Sequence, residues 1–315
     1  MSKPASNKYK TTNWPSYHAA LKSRGALMIW LDPALKWAAE PSGKCGCNPT
    51  FSDAAIQFCL TIKCLFGLAL RQATGMVESL LRLANLDWNV PDSSTISRRQ
   101  KTLKVIIPAR QSQGGLHLLV DSTDIKMRGE GEWKTKKHGT EYRRQWRKVH
   151  LGIDAETLEI RAIEVTDNKT GDAPMLPELM KQIPESEQIA AIYGDGAYDT
   201  KECHNAIAAR GAVAIIPTRQ NAQFRKENTA GARARNEILR ATKCLGRTIW
   251  KKWSGYHRRS LVETKMRCFK LLGERVMVRG FDRQVAELQV RAAILNRFAL
   301  SRCLLELDHY KLLVY

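Results

Sequence analysis

Apolar residues recur at helical spacing in the first third of the chain, at strand spacing in its middle and again at helical spacing near its end. The first third predicts one or two helices between Asn13 and Ala39, a long helix capped by Ser52, and a second helix through Met76 to Leu81. After Pro91 the spacing predicts a short capped helix with a basic end. The N-terminal part is therefore predicted to be all-helical.

The pattern changes after Gly114-Gly115, where short apolar runs begin to alternate with helical segments. The predicted elements are a strand at 116–120, a hairpin at 148–165 turning at 155–157, a helix at 173–183, a strand at 189–194, a helix at 200–210 and a strand at 212–216. Strands followed by alternating helices and strands predict an α/β fold with a mixed sheet flanked by helices. The basic segment 217–254 is predicted to be irregular, and further helices are predicted at 256–272 and 283–307.

Composition is that of a globular protein, with 43% hydrophobic residues among 315. That length has room for a catalytic domain and one smaller domain. The eight cysteines form no disulfide framework, and reduced thiols predict a cytoplasmic protein. Cys45-Gly46-Cys47 could form a zinc site with Cys59 or Cys64, although no His-containing motif supports it. No apolar run approaches the ~18 residues that span a bilayer.

Charge changes the picture most, because 51 Lys and Arg face 31 Asp and Glu, a net charge of +20. Such a protein is drawn to polyanions, and nucleic acid is a better candidate than a membrane surface. Cations and aromatic residues interleave between residues 129 and 148, as suits backbone contact and base stacking. From residue 219 to 279 there are 17 Lys or Arg and four acidic residues, whereas a merely solvated face would mix the two signs.

Acidic residues supply the candidate chemistry. Asp121 and Asp195 each follow an apolar, strand-like run, and no local turn or cap explains them. The other acids have such explanations. Asp124 points to the opposite strand face as a solvated or supporting acid, Asp154 lies at the hairpin turn, Asp172 precedes a helix, and Asp199 begins an Asp-x-x-Glu capping box.

A third acid, Glu263, lies on a helical stripe with three other functional side chains. At 100° per residue, Tyr256, Arg259, Glu263 and Lys270 fall within a sector of about 60°. Glu263 has an ordinary alternative as the partner of Arg259 or Arg267. Together, Asp121, Asp195 and Glu263 would form a site for Mg²⁺ or Mn²⁺, with two ions about 3.5–4 Å apart serving phosphodiester cleavage.

Two other chemistries lack support. The chain has no G-x-x-x-x-G-K-[ST] loop, so no nucleotide cofactor and no ATP-driven motor are expected. It also has no nucleophile-elbow motif, although a Ser-His-Asp triad stays open.

These motifs resemble those of bacterial insertion-sequence transposases of the DDE class, specifically the insertion-sequence-five family. The resemblance covers nearly the whole chain, from Asn13-Trp14 through Asp195-Gly196-Ala197-Tyr198-Asp199, and is most specific in the Y-x2-R-x3-E-x6-K signature of residues 256–270. It implies a ribonuclease-H-like core with Asp121, Asp195 and Glu263 as its catalytic and metal-binding triad. It also implies DNA contacts, for which the candidates are Tyr256, Arg259, Lys270, Trp133, Lys134, Lys136, Lys137, Trp146, Arg147 and Lys148.

The implied protein binds the terminal inverted repeats of its own element, cleaves a strand and transfers it to target DNA, as a homodimer on double-stranded DNA in the bacterial nucleoid. The expected domains are a helical DNA-binding region at 1–110, compatible with a helix-turn-helix, a catalytic core at 115–280 and a C-terminal helix at 281–315 packed on the core. A non-catalytic DNA-binding repressor and a related metal-dependent nuclease without transposition are the alternatives.

Overall fold

The computed structural model describes residues 14–25, 35–41, 43, 48–112, 114–127 and 146–312. The chain divides into two compact units, the smaller formed by Met1–Leu35 with Arg297–Tyr315 and the larger by Lys36–Asn296. In the smaller unit, helix α1 covers Trp14–Gly25. The possible zinc ligands Cys45 and Cys47 and the basic residues 128–145 lie outside the described residues.

The larger unit begins with helices α2 (Asp53–Phe66), α3 (Leu70–Leu83) and α4 (Ser93–Arg99). The Ser52 hydroxyl accepts a hydrogen bond from the Ala55 amide at 3.0 Å, which confirms the predicted cap. A three-residue link that starts with Gly67 in the left-handed region joins α2 to α3, and the two helices are bent by 108°. No single described helix is long and apolar enough to cross a bilayer, and this bent pair passes that test only when its helices are counted together.

The strands are β1 (Leu116–Met127), β2 (Trp146–Asp154), β3 (Ile160–Asp167), β4 (Ile189–Tyr193), β5 (Val213–Ile215) and β6 (Arg275–Val276). Within the described residues they form one six-stranded sheet in the order β3-β2-β1-β4-β5, with β6 pairing the far end of β1. Strands β1 to β3 are antiparallel, whereas β4, β5 and β6 join in parallel. The predicted α/β fold with a mixed sheet is confirmed, and it is consistent with a ribonuclease-H-like core.

The helices that follow are α5 (Met175–Lys181), α6 (Lys201–Ala209), α7 (Ala230–Leu245), α8 (Arg247–Trp253), α9 (Ser260–Leu271) and α10 (Phe281–Leu312). Alternate residues of β1 (Leu116, Leu118 and Val120) share a buried cluster with apolar residues of α5 and α6. On α10, the buried Asn296 side chain donates to the Ile160 carbonyl and accepts from the Ile160 amide, at 2.8 and 2.7 Å. The part of α10 that belongs to the larger unit is thereby fixed to β3.

Three expectations about the elements are wrong. Strand β1 does not end at Val120 but runs to Met127, because β2 pairs with its polar second half. The segment 217–254 is not irregular, since it contains α7 and α8. The helix expected from Tyr256 begins at Ser260, after a tighter 3₁₀ turn at Tyr256–Arg259.

Close packing of α6 and α7 depends on one glycine. A Cβ atom at Gly231 would lie 2.5 Å from the His204 backbone carbon and 2.6 Å from the Asn205 nitrogen. Because real Cβ atoms do not approach backbone this closely, a larger residue there would force the helices apart.

Candidate active site

Asp121 and Asp195 lie side by side at the boundary between β1 and β4. The parallel register pairs Leu119 with Tyr193, and each aspartate is two residues further along its own strand direction. Because side chains alternate in a strand, both carboxylates are on the same face. Each is oriented by a backbone amide, from Ser122 to Asp121 at 2.8 Å and from Ala197 to Asp195 at 2.9 Å.

Arg259 brings the third acid into the same site. Its Nη2 atom donates to Asp121 Oδ2 at 2.6 Å, and its Nη1 atom donates to Glu263 Oε1 at 2.9 Å. The sequence offered a metal site and an Arg259–Glu263 pair as alternatives, and the structure contains the pair while extending it to Asp121. One guanidinium therefore bridges two of the three candidate ligands.

The 3₁₀ turn before α9 positions this bridge. Gly255 precedes the turn at φ 68°, a conformation that suits glycine. With about three residues per turn, Tyr256 and Arg259 lie above one another. Glu263 follows one α-helical turn later, and Lys270, half-buried on the same helix, two turns after that. The predicted common stripe is thus built from a tight turn and a helix.

The electrostatics of Asp121 are those of a crowded carboxylate. Burial raises the pKa of this group, Arg259 opposes the rise, and the negative charges of Asp195 and Asp172 add to it. Tyr198, which is 1% exposed, has its pKa raised by burial and by the same three carboxylates. Its hydroxyl is buried and makes no hydrogen bond to the described residues. Negative charge is therefore concentrated where the middle of β1 meets the C-terminal end of β4.

The donor set suits a hard divalent cation, because it consists of carboxylate oxygens with excess negative charge. Among the described residues, however, no three His, Cys, Asp or Glu side chains surround a common point. Asp121 and Glu263 instead direct one oxygen each to the guanidinium of Arg259. Two adjacent carboxylates and a third held by Arg259 are the residues that could hold a metal.

Asp172 is a charged neighbour whose place the sequence did not predict. Its carboxylate lies 2.8 Å from Lys148 Nζ and 3.5 Å from Nδ1 of the fully buried His150. Burial by itself would raise the pKa of Asp172, but His150 and Lys148 hold it well below its ordinary value. The expectation that Asp172 caps the following helix is wrong, because Pro174 occupies the cap position. Lys148 and His150 are two residues apart on β2, so their side chains share one face of the strand. This spacing was the signal in the sequence that could have indicated an acidic partner.

The other candidate DNA contacts are only partly described. Trp146 lies under Lys126, whose Nζ is 5.4 Å from the ring centroid, and Arg147 donates to Gln284 at 2.8 Å. The Tyr256 ring is 6.2 Å from that of Trp250. Trp133, Lys134, Lys136 and Lys137 lie outside the described residues. A role in binding DNA stays a prediction for all of these residues.

Asp199, at the other end of the turn that Asp195 begins, has partners that the sequence did not suggest. Thr200, not Asp199, caps α6, so the predicted capping box is wrong. The Asp199 carboxylate instead accepts from Arg235 Nε and Nη2 at 3.1 and 3.2 Å and from the Arg219 amide at 3.1 Å. These partners come from 20 and 36 residues further along the chain, beyond the reach of a local pattern.

Comparison with known families gives two matches. Residues 112–297 match a family model described as a transposase DDE domain, and residues 22–130 match a second model with the same description. The first match covers the sheet, both aspartates and Glu263. No solved structure matches the chain.

Proposed function

The chain belongs to the family of DDE transposases, and we propose that Asp121, Asp195 and Glu263 are the acidic triad with which it cuts and joins DNA. The observation that carries this proposal is the arrangement around Arg259, a cation that is 138 residues after Asp121 in sequence and is shared by this strand carboxylate and the helix carboxylate of Glu263. An ion pair that only stabilises the fold needs one acid and one base, whereas three acids are collected here. A partly buried aspartate next to a second aspartate, with an exposed glutamate joined through the same arginine, is better explained as a cation site.

Mg²⁺ or Mn²⁺, as one or two ions held by these carboxylates, would supply Lewis-acid activation of the attacking oxygen and stabilisation of the leaving oxygen. The residues of the chain supply the frame. Backbone amides of Ser122 and Ala197 hold Asp121 and Asp195 in place. Arg259, once released from the carboxylates, is placed to pair with the charged phosphate.

The proposed chemistry has two balanced steps. In the first, water attacks a phosphorus atom at the end of the element and gives up a proton, and the bond from phosphorus to the 3′-oxygen breaks. The 3′-oxygen takes up a proton and becomes a free 3′-hydroxyl, and the phosphate stays on the 5′ end of the other fragment. In the second, that hydroxyl attacks a phosphorus atom of target DNA, loses its proton and displaces another 3′-oxygen. The displaced 3′-oxygen takes up a proton. The second step exchanges one phosphodiester for another, so joining the strands needs no nucleotide cofactor.

DNA would be held by the basic surface around this site. We assign Tyr256, Lys270 and the 129–148 segment to contacts with double-stranded DNA, at the inverted repeats or the target. The helical region at 1–110 would recognise the repeats, and the bent α2–α3 pair with its glycine-containing link suits a helix-turn-helix. Membership of the insertion-sequence-five family, action as a homodimer at the nucleoid and the domain limits 1–110, 115–280 and 281–315 belong to the same proposal.

The test replaces each acid by its amide in the full chain and measures Mg²⁺-dependent nicking of a duplex that carries the end of the element. We expect Asp121→Asn, Asp195→Asn and Glu263→Gln each to lower the cleavage rate at least a hundredfold while binding of the duplex is kept. Asp124→Asn is the matched control, because Asp124 is an exposed acid on the same strand as Asp121.

Cleavage retained by one of the three variants would remove that residue from the triad. A wild-type protein that binds the duplex but never nicks it would identify a repressor. Nicking without joining to a second duplex would identify a nuclease.

A further inference from the structure

A second charged cavity lies next to Asp199, the residue that ends the 3₁₀ turn Gly196–Tyr198. It has a volume of about 410 Å³, and its lining includes Asp199 and three arginines, Arg219, Arg225 and Arg235. One carboxylate among three guanidinium groups leaves the cavity with an excess of positive charge. An anion is the class of ligand that such a cavity attracts.

Arg235 pairs with Asp199, the only carboxylate in this lining. It is 3% exposed, and its Nε and Nη2 atoms donate to the two oxygens of Asp199 in a bidentate pair. This pair fixes α7 to the turn, and it consumes the charge of both partners. Arg225 Nη2 lies 3.6 Å from an oxygen of the same Asp199 carboxylate. One carboxylate therefore serves two guanidinium groups, and the lining keeps an excess of positive charge at Arg219 and Arg225.

Arg225 is held with part of its guanidinium unused. Its Nη2 atom donates to the Asp199 backbone carbonyl at 3.1 Å, whereas its Nη1 atom is buried and makes no hydrogen bond to the described residues. The backbone of Arg225 is clamped by Asn236 of α7, which accepts from its amide at 3.0 Å and donates to its carbonyl at 2.7 Å. A buried charged donor without a partner is costly, and a ligand oxygen would satisfy it.

The charges around Arg225 support the same conclusion. Burial lowers the pKa of its guanidinium, and the positive charge of Arg235 lowers it further. Asp199 and Glu202 oppose this effect without reversing it. Arg225 is therefore a partly desolvated cation beside a second cation, and a bound anion would stabilise its charge.

Arg219 connects the cavity to the candidate active site. Its Nε and Nη2 atoms donate to the carbonyls of Gly196 and Ala197 at 3.2 and 3.4 Å. The turn that these carbonyls belong to begins at Asp195, whose carboxylate caps it. A ligand at Arg219 and Arg225 is thus one short turn away from the carboxylates proposed to hold the metal.

We propose that Arg219 and Arg225, with Arg235 holding Asp199 beside them, form a phosphate pocket that binds a backbone phosphate of DNA beside the phosphodiester being cut. The inference rests on the proposed function, because the phosphate is taken to come from the DNA that the acidic triad cleaves. Bidentate guanidinium contacts are well suited to phosphate oxygens. The pocket would fix the register of the DNA on the protein and carry no base specificity.

The experiment measures binding of the element-end duplex to the full chain by fluorescence anisotropy at several NaCl concentrations, without divalent ions. Arg225→Gln is the test variant, and Arg240→Gln is its matched control, because Arg240 is an exposed arginine of α7 paired with Glu227. We expect Arg225→Gln to weaken binding about tenfold and to reduce the slope of log K against log salt by about one. Arg240→Gln should leave the slope unchanged.

A second arm replaces single phosphates of the duplex by uncharged methylphosphonates. Wild type should lose affinity at one or two positions, and Arg225→Gln should show no further loss there. Arg219→Gln gives the same reading if Arg225→Gln fails to fold, because the Arg219 side chain is exposed and, among the described residues, donates to backbone carbonyls alone.

Equal slopes for Arg225→Gln, Arg219→Gln and Arg240→Gln would overturn the phosphate pocket. So would a cavity that binds inorganic phosphate, detected by calorimetry, while DNA binding is unaffected by the substitutions. Both outcomes leave the proposed function intact as long as wild type binds and nicks the duplex. Failure of the proposed function would instead appear as a wild-type protein without nicking.

Discussion

At the scale of single residues, the candidate site is governed by competition for Arg259. Asp121 and Glu263 both pair with its guanidinium, so their negative charges are partly neutralised without a metal. A divalent cation that uses the same oxygens must displace the arginine. The arginine that keeps the carboxylates together should therefore oppose the ion that they are proposed to bind.

This competition predicts the effect of Arg259→Gln. Removing the cation should tighten Mg²⁺ or Mn²⁺ binding several-fold, because the ion no longer has to break two ion pairs or approach a positive charge. DNA cleavage should fall at the same time, since the proposed phosphate contact is lost. Calorimetric titration of the metal and a nicking assay measure the two effects separately.

Arg258→Gln is the control for this substitution, because Arg258 is an exposed neighbour that carries the same charge. Metal affinity that fell in Arg259→Gln would contradict the competition and would make Arg259 a support for the metal site.

Asp199 provides a prediction on stability. Burial alone would raise the pKa of Asp199, but hydrogen bonds from His204 and Arg235 hold it well below the ordinary range. A depressed carboxyl pKa contributes stability above the unfolded-state pKa of about 3.9, and this contribution is lost as the pH falls through the folded-state pKa. Asp199→Asn, which leaves Arg235 buried without its partner, should cost about 3–5 kcal/mol at pH 7.

Urea unfolding at pH 7 and near pH 3 measures this effect, and the difference from wild type should shrink at the lower pH. Asp124→Asn, at an exposed position, should stay within about 0.5 kcal/mol of wild type at both. A destabilisation of Asp199→Asn that was independent of pH would show that packing, and not the charge of Asp199, stabilises this region.

The roles of acidic residues were predictable from the sequence only where their partners are local. Asp154 was expected at a turn, and its carboxylate accepts from the Glu156 amide and the Thr157 hydroxyl, both at 3.0 Å. Asp172 and Asp199 were expected to be helix caps, and both instead pair with cations brought in by other elements. A local motif names a possible partner but cannot exclude a stronger one that the fold supplies.

At the scale of elements, alternation of strands and helices was predictable because most buried faces are apolar. Helix α7 escaped prediction because its buried face carries Arg235 and Asn236 beside Leu239, and two polar residues break the apolar period. Strand β1 was predicted too short for a related reason, since its second half, from Asp121 on, is mostly polar and is fixed by pairing with β2. Elements that carry the candidate site are those that depart from the apolar pattern.

We expect opposite effects when alanine replaces two glycines, one before the 3₁₀ turn and one inside α3. Gly255 has φ 68° with open space around its absent Cβ, so Gly255→Ala should cost about 1–2 kcal/mol through backbone strain alone. Gly75 lies within α3, also in open space and without a positive φ, and Gly75→Ala should stabilise by about 0.5–1 kcal/mol. Urea unfolding of the two variants measures both values.

The sign of the difference between these variants is the decisive result. If Gly255→Ala were as stable as wild type, the 3₁₀ turn would not require the left-handed conformation, and the position of Arg259 would need another explanation.

At the scale of the whole molecule, net charge and the acidic site have separate roles. The excess of 20 positive charges acts on any DNA, whatever its sequence. The carboxylates of Asp121, Asp195 and Glu263 would repel DNA in the absence of a metal, so they cannot be part of the attraction. Binding and cleavage should therefore respond to different changes of the solution.

Removal of divalent ions and addition of salt are the changes that separate them. With EDTA, we expect nicking of the duplex to stop and its binding to persist at low salt, because the cations of the basic segments need no metal. Raising NaCl from 50 to 200 mM should weaken binding by about a thousandfold if at least six phosphates are contacted. Anisotropy and nicking assays on the same preparation measure both responses. Addition of Mg²⁺ after EDTA should restore nicking. It should change the salt dependence of binding only as far as Mg²⁺ itself competes with the protein for DNA phosphates. A protein whose DNA binding disappeared with EDTA would be using the metal to bridge carboxylates and phosphates in the bound state, and the basic surface would then be too weak to hold DNA on its own.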